Sequence, residues 1–284
     1  MKTYNSIYLE ARNALMNAGI ENPAYESRLL LSSAAGKTPE SLMASLSLYA
    51  SDPVEEQMQE YVSRRLTGEP VAYITDRWEF FGIPLFVNRN VLIPRIDTET
   101  LILAAKEILT GVKQDARILD LCCGSGCISC AMASEFPASR VTAVDVSEAA
   151  LAVCRKNVAE LGFNSRVICM KCDACSSPPM GLGRFDMILC NPPYIESEEI
   201  DTLDDSVKNF EPRLALDGGA AGLDFYKDII KYWSCTLQDG GVLIFEVGES
   251  QSAPVSEYLE SAGFRKVYTR PDTLNVERAV VGIR

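Results

Sequence analysis

The chain has 284 residues, of which 47% are hydrophobic, and a formal net charge of −12. A chain of this length can bury a full core in one large domain or in a large and a small one. The negative charge argues against a dedicated nucleic-acid binder, and the lack of any histidine excludes Ser-His or Cys-His mechanisms and histidine-ligated zinc.

The first residues, MKTYNSIYLEARNALMNAG, contain no long apolar run. We therefore expect neither a signal peptide nor a membrane span. Ten cysteines in such a chain are typical of reduced thiols in the core rather than of a disulfide framework. These features predict a cytoplasmic protein without a membrane partner, and the acidity favours a small-molecule or basic protein partner.

Helical patterns fill the first 70 residues. Apolar residues recur at helical spacing in segments 7–18 and 23–35. The segment SDPVEEQMQEYVSRRLTG adds start and stop signals, with Ser51 or Asp52 as the N-cap, Pro53 in the first turn and Gly68 as the terminator. We predict a small helical bundle that forms a domain over residues 1–72.

From Val71 the sequence changes character. The stretch WEFFGIPLFVNRNVLIP is rich in aromatic and β-branched residues, and it carries turn signals at Gly82-Ile83-Pro84 and at residues 88–90. This pattern predicts a β-hairpin that serves as a linker over residues 73–95.

Strands and helices alternate over residues 96–284. The apolar runs are ARILDLCC, RVTAVDVS, RVICMKCD, FDMILCN and GGVLIFEVG, with helical patterns between them. This alternation is typical of an α/β fold with a parallel sheet that is covered on both faces. Two further runs, FRKVYTRP and ERAVVGIR, are joined by a short connection and predict a terminal antiparallel pair.

Polar residues stand at the strand ends, where ligands bind in parallel α/β sheets. The first strand ends at Asp120 before a turn with Gly124 and Gly126, the second ends at Asp145, and the third at Asp173. The glycines let backbone N–H groups approach a ligand, and an acidic residue about 20 positions further on suits both hydroxyls of a ribose. The loop matches neither G-x-G-x-x-G nor a phosphate-cradling loop, so it predicts a nucleoside, with an ordinary tight turn as the alternative.

The fourth strand, FDMILC, runs directly into Asn191, Pro192, Pro193 and Tyr194. The prolines fix φ and donate no hydrogen bonds, so this corner is rigid. The Asn191 side-chain oxygen and the Pro192 carbonyl can converge on one NH2 group, and Tyr194 can lie against a planar group. The corner predicts recognition of an amide or an exocyclic amine, although Asn-Pro is also common in plain turns.

Together these residues resemble the S-adenosylmethionine-dependent methyltransferases that modify planar nitrogen groups. The stretches GEPVAYITDRWEFFGIPLFVNRNVLIPRIDTETL, FEPRLALDGGAAGLDFY and ERAVVG are similar to the protein-glutamine methyltransferases that act on peptide chain release factors, the PrmC/HemK family. The resemblance covers nearly the whole chain. It implies a Rossmann-like methyltransferase domain with a seven-stranded, mostly parallel sheet at residues 96–284, and S-adenosylmethionine as the methyl donor without a metal.

The resemblance also implies partners and residue roles. Class I release factors would be the protein partners, gripped by the helical domain of a monomeric enzyme, and the glutamine of their GGQ motif would accept the methyl group. The substrate would be bound by Asn191, Pro192, Pro193 and Tyr194, with Asn191, Pro192 and Tyr194 as the catalytic residues. The cofactor would be bound by Asp120, Cys122, Cys123, Gly124, Ser125, Gly126, Asp145, Asp173, Ala174 and Asn191.

The sequence departs from the family pattern at a few positions. Cys122 and Cys123 stand where Gly-Thr is usual, Ala174 stands where an aromatic residue often stacks, and Asp76 replaces a glycine. Two residues outside the motifs carry expectations of their own. Glu211 is expected to fix the loop after the fourth strand, and Glu246 to be a rim contact or a solvated strand end.

Alternative functions remain open at this point. The same corner would suit a glutamine of another protein, such as a ribosomal protein, or the exocyclic amine of a flipped adenine. Cys123, Cys127 and Cys130 have the C-x3-C-x2-C spacing that resembles the cluster motif of radical S-adenosylmethionine enzymes, although cysteines at small-residue core positions explain the pattern and are favoured. A binding module without enzymatic activity is the remaining class.

Overall fold

The computed structural model describes all 284 residues. The chain divides into two compact units, Met1–Arg77 with Asp205–Phe210, and Trp78–Asp204 with Glu211–Arg284. None of the helices combines the length and the apolar character that crossing a membrane requires.

Eleven α-helices and nine β-strands make up the two units. Helices α1 to α11 span Tyr4–Asn17, Pro23–Ala34, Pro39–Ala44, Asp52–Leu66, Val71–Thr75, Glu99–Leu109, Cys127–Glu135, Glu148–Glu160, Asp205–Lys208, Asp224–Trp233 and Ser252–Ser261. Strands β1 to β9 span Arg77–Phe80, Ile83–Phe86, Arg117–Leu121, Arg140–Asp145, Val167–Lys171, Phe185–Cys190, Leu237–Glu246, Lys266–Pro271 and Glu277–Ile283.

The first unit confirms the predicted helical region. Leucines from α1, α2 and α3 are fully buried in its core, namely Leu15, Leu30, Leu31 and Leu42. The Arg65 guanidinium of α4 donates to both carboxylate oxygens of Glu26 on α2, at 2.6 and 3.1 Å. The short helices α3 and α5 were not predicted, because a helix of five or six residues shows too little periodicity to be seen.

The two-stranded hairpin is confirmed, but its turn lies earlier than predicted. Residues Phe81 (φ 50°) and Gly82 (φ 72°) form the turn, whereas Ile83 and Pro84 already belong to β2. A two-residue hairpin loop favours positive φ at both positions, and Phe81 adopts this conformation although it is not glycine. Its N–H donates to Glu99 Oε1 at 2.9 Å, which helps to hold the unusual backbone in place.

The second unit contains the predicted seven-stranded, mostly parallel sheet. Its order is β5-β4-β3-β6-β7-β9-β8, and only β9 runs antiparallel to its neighbours. Alternate residues of β7 enter different cores, since Val242 and Ile244 pack with α6, α7 and α8 while Leu243 and Phe245 pack with α10 and α11. Alternation places these cores on opposite faces of the sheet, as the apolar runs predicted.

The strand order brings three polar strand ends together. The chain moves from β3 outward through β4 to β5, and then returns to the other side of β3 with β6. Leu121 therefore pairs with Val144 of β4 and with Cys190 of β6. The residues that follow these strands meet at the point where the strand order reverses, which is the usual ligand position in such sheets.

Candidate active site

A cleft of about 960 Å³, its open mouth included, lies at the carboxyl ends of β3, β4, β5 and β6. Further parts of its wall come from Asn90, Val91, Leu92, Pro94, Thr98, Pro212, Leu214, Ala215 and Phe225. Most of the predicted site residues line it, namely Cys122, Cys123, Gly124, Ser125, Asp145, Asp173, Ala174, Asn191 and Pro193. The lining does not include Asp120, Gly126, Pro192 or Tyr194.

The turn from β3 into α7 has an unusual backbone. Cys122, Gly124 and Gly126 have left-handed φ values of 59°, 52° and 79°. This conformation costs a residue with a Cβ about 1–2 kcal/mol, which accounts physically for the glycine expected at position 122. A Cβ on Gly124 would meet no atom within 4 Å, so the backbone of this residue faces open space where it lines the cleft.

Gly126 is packed too closely to carry a side chain. A Cβ at this position would lie 2.5 Å from the sulfur of the buried Cys154 on α8. We expect Gly126→Ala to lower the free energy of unfolding by about 2–4 kcal/mol, because backbone strain and overpacking add. Urea denaturation measures the loss. Gly162→Ala is the matched control, since Gly162 has a φ of 75° with no atom within 4 Å of its Cβ position; an equal loss in both variants would contradict the contact with Cys154.

Asp145 ties the loop to the end of β4. Its Oδ2 accepts the Gly124 N–H at 2.9 Å, and its Oδ1 accepts the Ser147 N–H at 2.9 Å. Burial raises the pKa of Asp145, while the hydrogen bonds from Ser147 and Gly124 lower it in part. A carboxylate has about four acceptor positions. The backbone N–H groups of Ser147, Gly124 and Val146 use up to three of them, so at least one remains for a hydroxyl group of the predicted ribose.

Asp120 lies behind the loop and is 0% exposed. Its Oδ2 accepts the Ser129 N–H at 3.0 Å and the Ser129 hydroxyl at 2.6 Å, whereas its Oδ1 has no hydrogen-bond partner. Burial raises the pKa of Asp120 to about 7, and the bonds to Ser129 oppose the shift. Asp120 therefore supports the start of α7, and a direct contact with a cofactor stays a prediction.

Asn191 lines the cleft at the end of β6. Its Nδ2 donates to the Thr98 hydroxyl oxygen at 3.1 Å. This bond engages the nitrogen of the side-chain amide and leaves Oδ1 as the atom that can accept a hydrogen bond from a ligand. Pro192 and Pro193 are both buried, and Tyr194 points its hydroxyl at Glu246 Oε1, 3.3 Å away. The structure thus supports an acceptor at Asn191, while the predicted roles of Pro192 and Tyr194 stay predictions.

The segment LDGGAAG, residues 216–222, packs against the backbone of the Asn-Pro-Pro-Tyr corner. The Ile195 N–H donates to the Leu216 carbonyl at 3.0 Å, and the Gly218 N–H donates to the Ile195 carbonyl at 2.8 Å. A Cβ on Gly218 would lie 2.7 Å from the Cα of Tyr194, and one on Gly222 would lie 2.3 Å from the Tyr194 carbonyl oxygen. The two glycines therefore allow a close backbone contact, and this supporting role was missed in the sequence.

Two further residues hold the segments around the corner: Gln251, which was not predicted, and Glu211, which was expected to fix the loop after the fourth strand. The side chain of Gln251 donates to the Tyr194 carbonyl at 2.8 Å and fixes the backbone there. Glu211, which is 6% exposed, accepts the Ile93 N–H on Oε2 at 3.0 Å and binds the Arg95 guanidinium through Oε1. Glu211 therefore joins two segments that contribute to the cleft wall.

Glu246 is neither a rim contact nor a solvated end, because it is only 1% exposed. Burial raises its pKa to about 7, and the hydroxyls of Thr98 and Tyr194 lower the pKa in part by hydrogen bonding. Its Oε2 has no partner that meets ordinary hydrogen-bond geometry. A strand-end carboxylate is usually solvated, which is why its burial could not be read from the sequence.

All ten cysteines are free thiols. Cys123 and Cys130 are buried, and the sulfur atoms of Cys154 and Cys169 lie 3.4 Å apart. No group of three or more cysteine, aspartate or glutamate side chains is arranged to hold a metal ion. The iron–sulfur alternative therefore finds no ligand set in the structure.

The chemistry of the cleft fits S-adenosylmethionine. Asp145 and Asp173 offer carboxylates to hydroxyl and cationic groups, the Gly124 turn lets the backbone approach a ligand closely, and Ile128 and Val146 offer apolar wall. The Asp173-Ala174 corner is itself held in place, because the Trp233 indole N–H donates to the Ala174 carbonyl at 2.8 Å.

Comparisons with known proteins bear on both units. The family described as "Methyltransferase small domain" matches residues 94–220, and the family described as "PrmC N-terminal domain" matches residues 7–75. The chain is 37% identical to the Release factor glutamine methyltransferase of Caulobacter vibrioides over 96% of its own length and 94% of the relative's. It is 35% identical to the protein of the same name from Geobacter sulfurreducens, over 95% and 93% of the two chains.

Solved structures share the fold at low sequence identity. The hMettl16 catalytic domain, in complex with the MAT2A 3′UTR hairpin 6, has a TM-score of 0.59 at 18% identity over 81% of each chain. A methyltransferase from Pyrococcus furiosus has a TM-score of 0.52 at 19% identity, over 79% of this chain and 98% of its own. At these identities the likeness concerns the Rossmann-like fold alone.

Proposed function

The chain belongs to the family of release factor glutamine methyltransferases, and from this premise we propose that it methylates the glutamine of the GGQ motif in class I peptide chain release factors. S-adenosylmethionine is the methyl donor, and the side-chain amide nitrogen of the glutamine is the acceptor. The observation that carries the proposal is the Asn191 side chain, which lines the cleft and has its nitrogen bound to Thr98.

The amide nitrogen of glutamine is a poor nucleophile, because its lone pair is delocalised into the carbonyl group. In the proposed site, Asn191 Oδ1 and the Pro192 carbonyl oxygen each accept a hydrogen bond from one N–H group of the glutamine amide. Two acceptors fix the plane of the amide and favour a geometry in which the lone pair points along the line of transfer. The corner therefore acts by orientation, which agrees with the lack of any histidine in the chain.

When bound, S-adenosylmethionine supplies a methyl group on a positively charged sulfur. Transfer to the amide nitrogen would use the nitrogen lone pair and would leave the electrons of the broken carbon–sulfur bond on sulfur. Positive charge develops on nitrogen, where the oxygen dipoles of Asn191 and Pro192 stabilise it. The alkylated nitrogen then loses a proton to water, so no tuned base is required. Asp145 and the loop at Gly124 hold the nucleoside part of the donor.

The helical residues 1–72 are proposed to recognise the release factor. The match of residues 7–75 to the PrmC N-terminal domain supports a family-specific role for this unit. The net charge of −12 favours a basic surface on the protein partner and disfavours a nucleic-acid substrate. We further propose that the enzyme acts as a monomer in the cytoplasm, where peptide release takes place.

The test is mass spectrometry of an unmethylated release factor after incubation with this protein and S-adenosylmethionine. We expect a single added methyl group, located by fragmentation on the glutamine of the GGQ motif. A release factor whose GGQ glutamine is replaced by glutamate is the matched control, and it should remain unmodified.

A release factor that stays unmodified although the enzyme binds S-adenosylmethionine would overturn the proposed substrate. The search would then move to glutamines of ribosomal proteins and afterwards to adenine in nucleic acid, since both present an NH2 group on a planar carbon.

A further inference from the structure

A buried side-chain amide on α8 joins two distant segments of the backbone. Asn157 is 1% exposed and does not line the cleft. Its Nδ2 donates to the Ser125 carbonyl at 2.9 Å and to the Phe86 carbonyl at 2.9 Å. Its Oδ1 accepts the Phe86 N–H at 2.7 Å. One NH2 group therefore serves carbonyls that lie on two different segments.

Both segments contribute to the cleft. Ser125 lines the cleft within the turn from β3 to α7. Phe86 is the last residue of β2, and the chain that follows it supplies Asn90, Val91 and Leu92 to the wall. We call residues 86–94 the wall segment. Asn157 thus binds the turn on one side and the start of the wall segment on the other.

The wall segment is held at further points. The Ile93 N–H donates to Glu211 Oε2 at 3.0 Å, which anchors the far end. At the near end, the Lys156 ammonium lies 3.2 Å from the centre of the Phe86 ring, and a cation over an aromatic face is attracted to it. Consecutive residues of α8 therefore hold both the backbone and the ring of Phe86.

The chemistry of these three hydrogen bonds requires an amide at position 157. An asparagine side chain has two donors on its nitrogen and acceptor positions on its oxygen. Carbonyl groups only accept and a backbone N–H only donates, so a reversed amide would set its oxygen against both carbonyls. Aspartate has the same shape as asparagine. Whether it is charged or protonated, it can donate to at most one of the carbonyls of Phe86 and Ser125.

We propose that Asn157 is a positioning residue for the methyl donor, whose NH2 group keeps the turn at Ser125 and the wall segment in a fixed relation. Binding of the donor at the turn is then coupled to order in the wall segment. The inference goes beyond the proposed substrate, and it rests on the proposed binding of the nucleoside at the Gly124 turn. It assigns to Asn157 no contact with the cofactor. A site that is already ordered binds more tightly, because the ligand does not have to order it.

The first experiment measures the affinity of Asn157→Asp for S-adenosylhomocysteine. Calorimetric titration is done at a temperature where the variant is fully folded, so that a loss of stability alone does not change the result. We expect binding about 10-fold weaker or more, since at least one of the buried carbonyls loses its partner and the turn is no longer fixed. An affinity equal to that of the unchanged protein would overturn the inference.

Asp186→Ala is the matched control for a structural loss. Asp186 accepts the Arg117 N–H at 2.8 Å, and Arg117 is the first residue of β3, at the end of the strand away from the cleft. This variant also loses a hydrogen bond between a side chain and the backbone of a distant segment. It should be less stable and should bind S-adenosylhomocysteine normally. An equal loss of affinity in both variants would overturn the positioning role of Asn157.

The second experiment uses the unchanged protein, so it does not depend on the folding of any variant. Phe86 does not line the cleft, and its N–H is bound by Asn157. A ligand that requires an ordered turn suppresses the openings that would disorder it. Saturating S-adenosylhomocysteine should therefore slow the hydrogen exchange of the Phe86 N–H, followed by NMR, about 10-fold more than that of the Arg117 N–H. Equal slowing at both positions would overturn the coupling.

Neither experiment contains a release factor, so the inference and the proposed substrate are tested apart. The expected results for Phe86 and for Asn157→Asp, without methylation of the GGQ glutamine, would keep the inference and remove the proposed substrate. Methylation of that glutamine with normal cofactor affinity in Asn157→Asp would remove the inference alone. A failure of the unchanged protein to bind S-adenosylhomocysteine would overturn both.

Discussion

Replacing Asn191 by alanine is expected to lower kcat about 100- to 1000-fold while leaving the affinity for S-adenosylmethionine nearly unchanged. The variant loses the acceptor that orients the substrate amide, and a lost oriented dipole of this kind costs about this much in related sites. Asn191 also lines the cleft, but Asp145 and the Gly124 turn, which are proposed to hold the nucleoside, are untouched. Calorimetric titration gives the affinity, and transfer of a radioactive methyl group gives kcat.

The surface variant Asn164→Ala is the matched control, since Asn164 is exposed and lies in a turn. It should keep both the affinity and the rate. Normal turnover in Asn191→Ala would contradict the proposed mechanism, because the mechanism assigns the side-chain acceptor for the substrate amide to Asn191. The cleft wall contains one other side-chain amide, that of Asn90. If the affinity for S-adenosylmethionine and the turnover rate fall together, Asn191 acts mainly in binding the cofactor.

Asp145→Ala is expected to weaken binding of S-adenosylmethionine about 100-fold or more. The substitution removes the acceptor proposed for the ribose and also frees the N–H groups of Gly124 and Ser147, which lie 2.9 Å from the carboxylate. Hydrogen bonds to a charged group are worth about 1.5–3 kcal/mol each, and a 100-fold loss corresponds to about 2.7 kcal/mol. The dissociation constant of the product S-adenosylhomocysteine, measured by calorimetry, checks this without catalysis.

Asp186→Ala provides the control for a structural loss alone. Asp186 on β6 also binds a backbone N–H, that of Arg117 at 2.8 Å, and it pairs with Lys113 at 2.8 Å. Arg117 begins β3, so this contact lies at the opposite end of the strand from the cleft. Asp186→Ala should lower the stability and keep the affinity. Equal affinities in the two variants would contradict the assignment of Asp145.

The sheet and the cleft residues could be predicted because their signals are local in sequence. Each strand of the second unit is a short apolar run, and a parallel sheet gathers the polar residues that follow such runs at one edge. Asp145 and Asn191 were therefore found from strand ends alone. The rigid Asn-Pro-Pro-Tyr corner was visible for the same reason, since two prolines in succession constrain the backbone whatever surrounds them.

The support of the corner could not be predicted, because its contacts join distant parts of the chain. Asn191 and Thr98 are 93 positions apart, Tyr194 and Glu246 are 52 apart, and Glu211 and Ile93 are 118 apart. No periodicity or composition connects residues at such separations. Glu246 in particular looks like a solvated strand end in the sequence, and only the packed structure shows that it is buried.

The hairpin turn illustrates a different limit. Gly82 and Pro84 both signal a turn, but the loop of two residues is centred on Phe81 and Gly82. A bulky residue with positive φ is rare, so propensity alone places the turn too late. The hydrogen bond from the Phe81 N–H to Glu99 offsets the preference of a bulky residue for negative φ.

The position of β9 between β7 and β8 has a consequence for the order of folding. β8 precedes β9 in the chain, yet β9 is its only partner in the sheet. β8 therefore has no ladder to join until residues Glu277–Ile283 have been made. A chain cut short before Glu277 would leave β7 as an open edge, rich in buried residues such as Leu243 and Phe245, which is a template for aggregation. Truncation at this end thus endangers the whole parallel sheet and not only its last pair of strands.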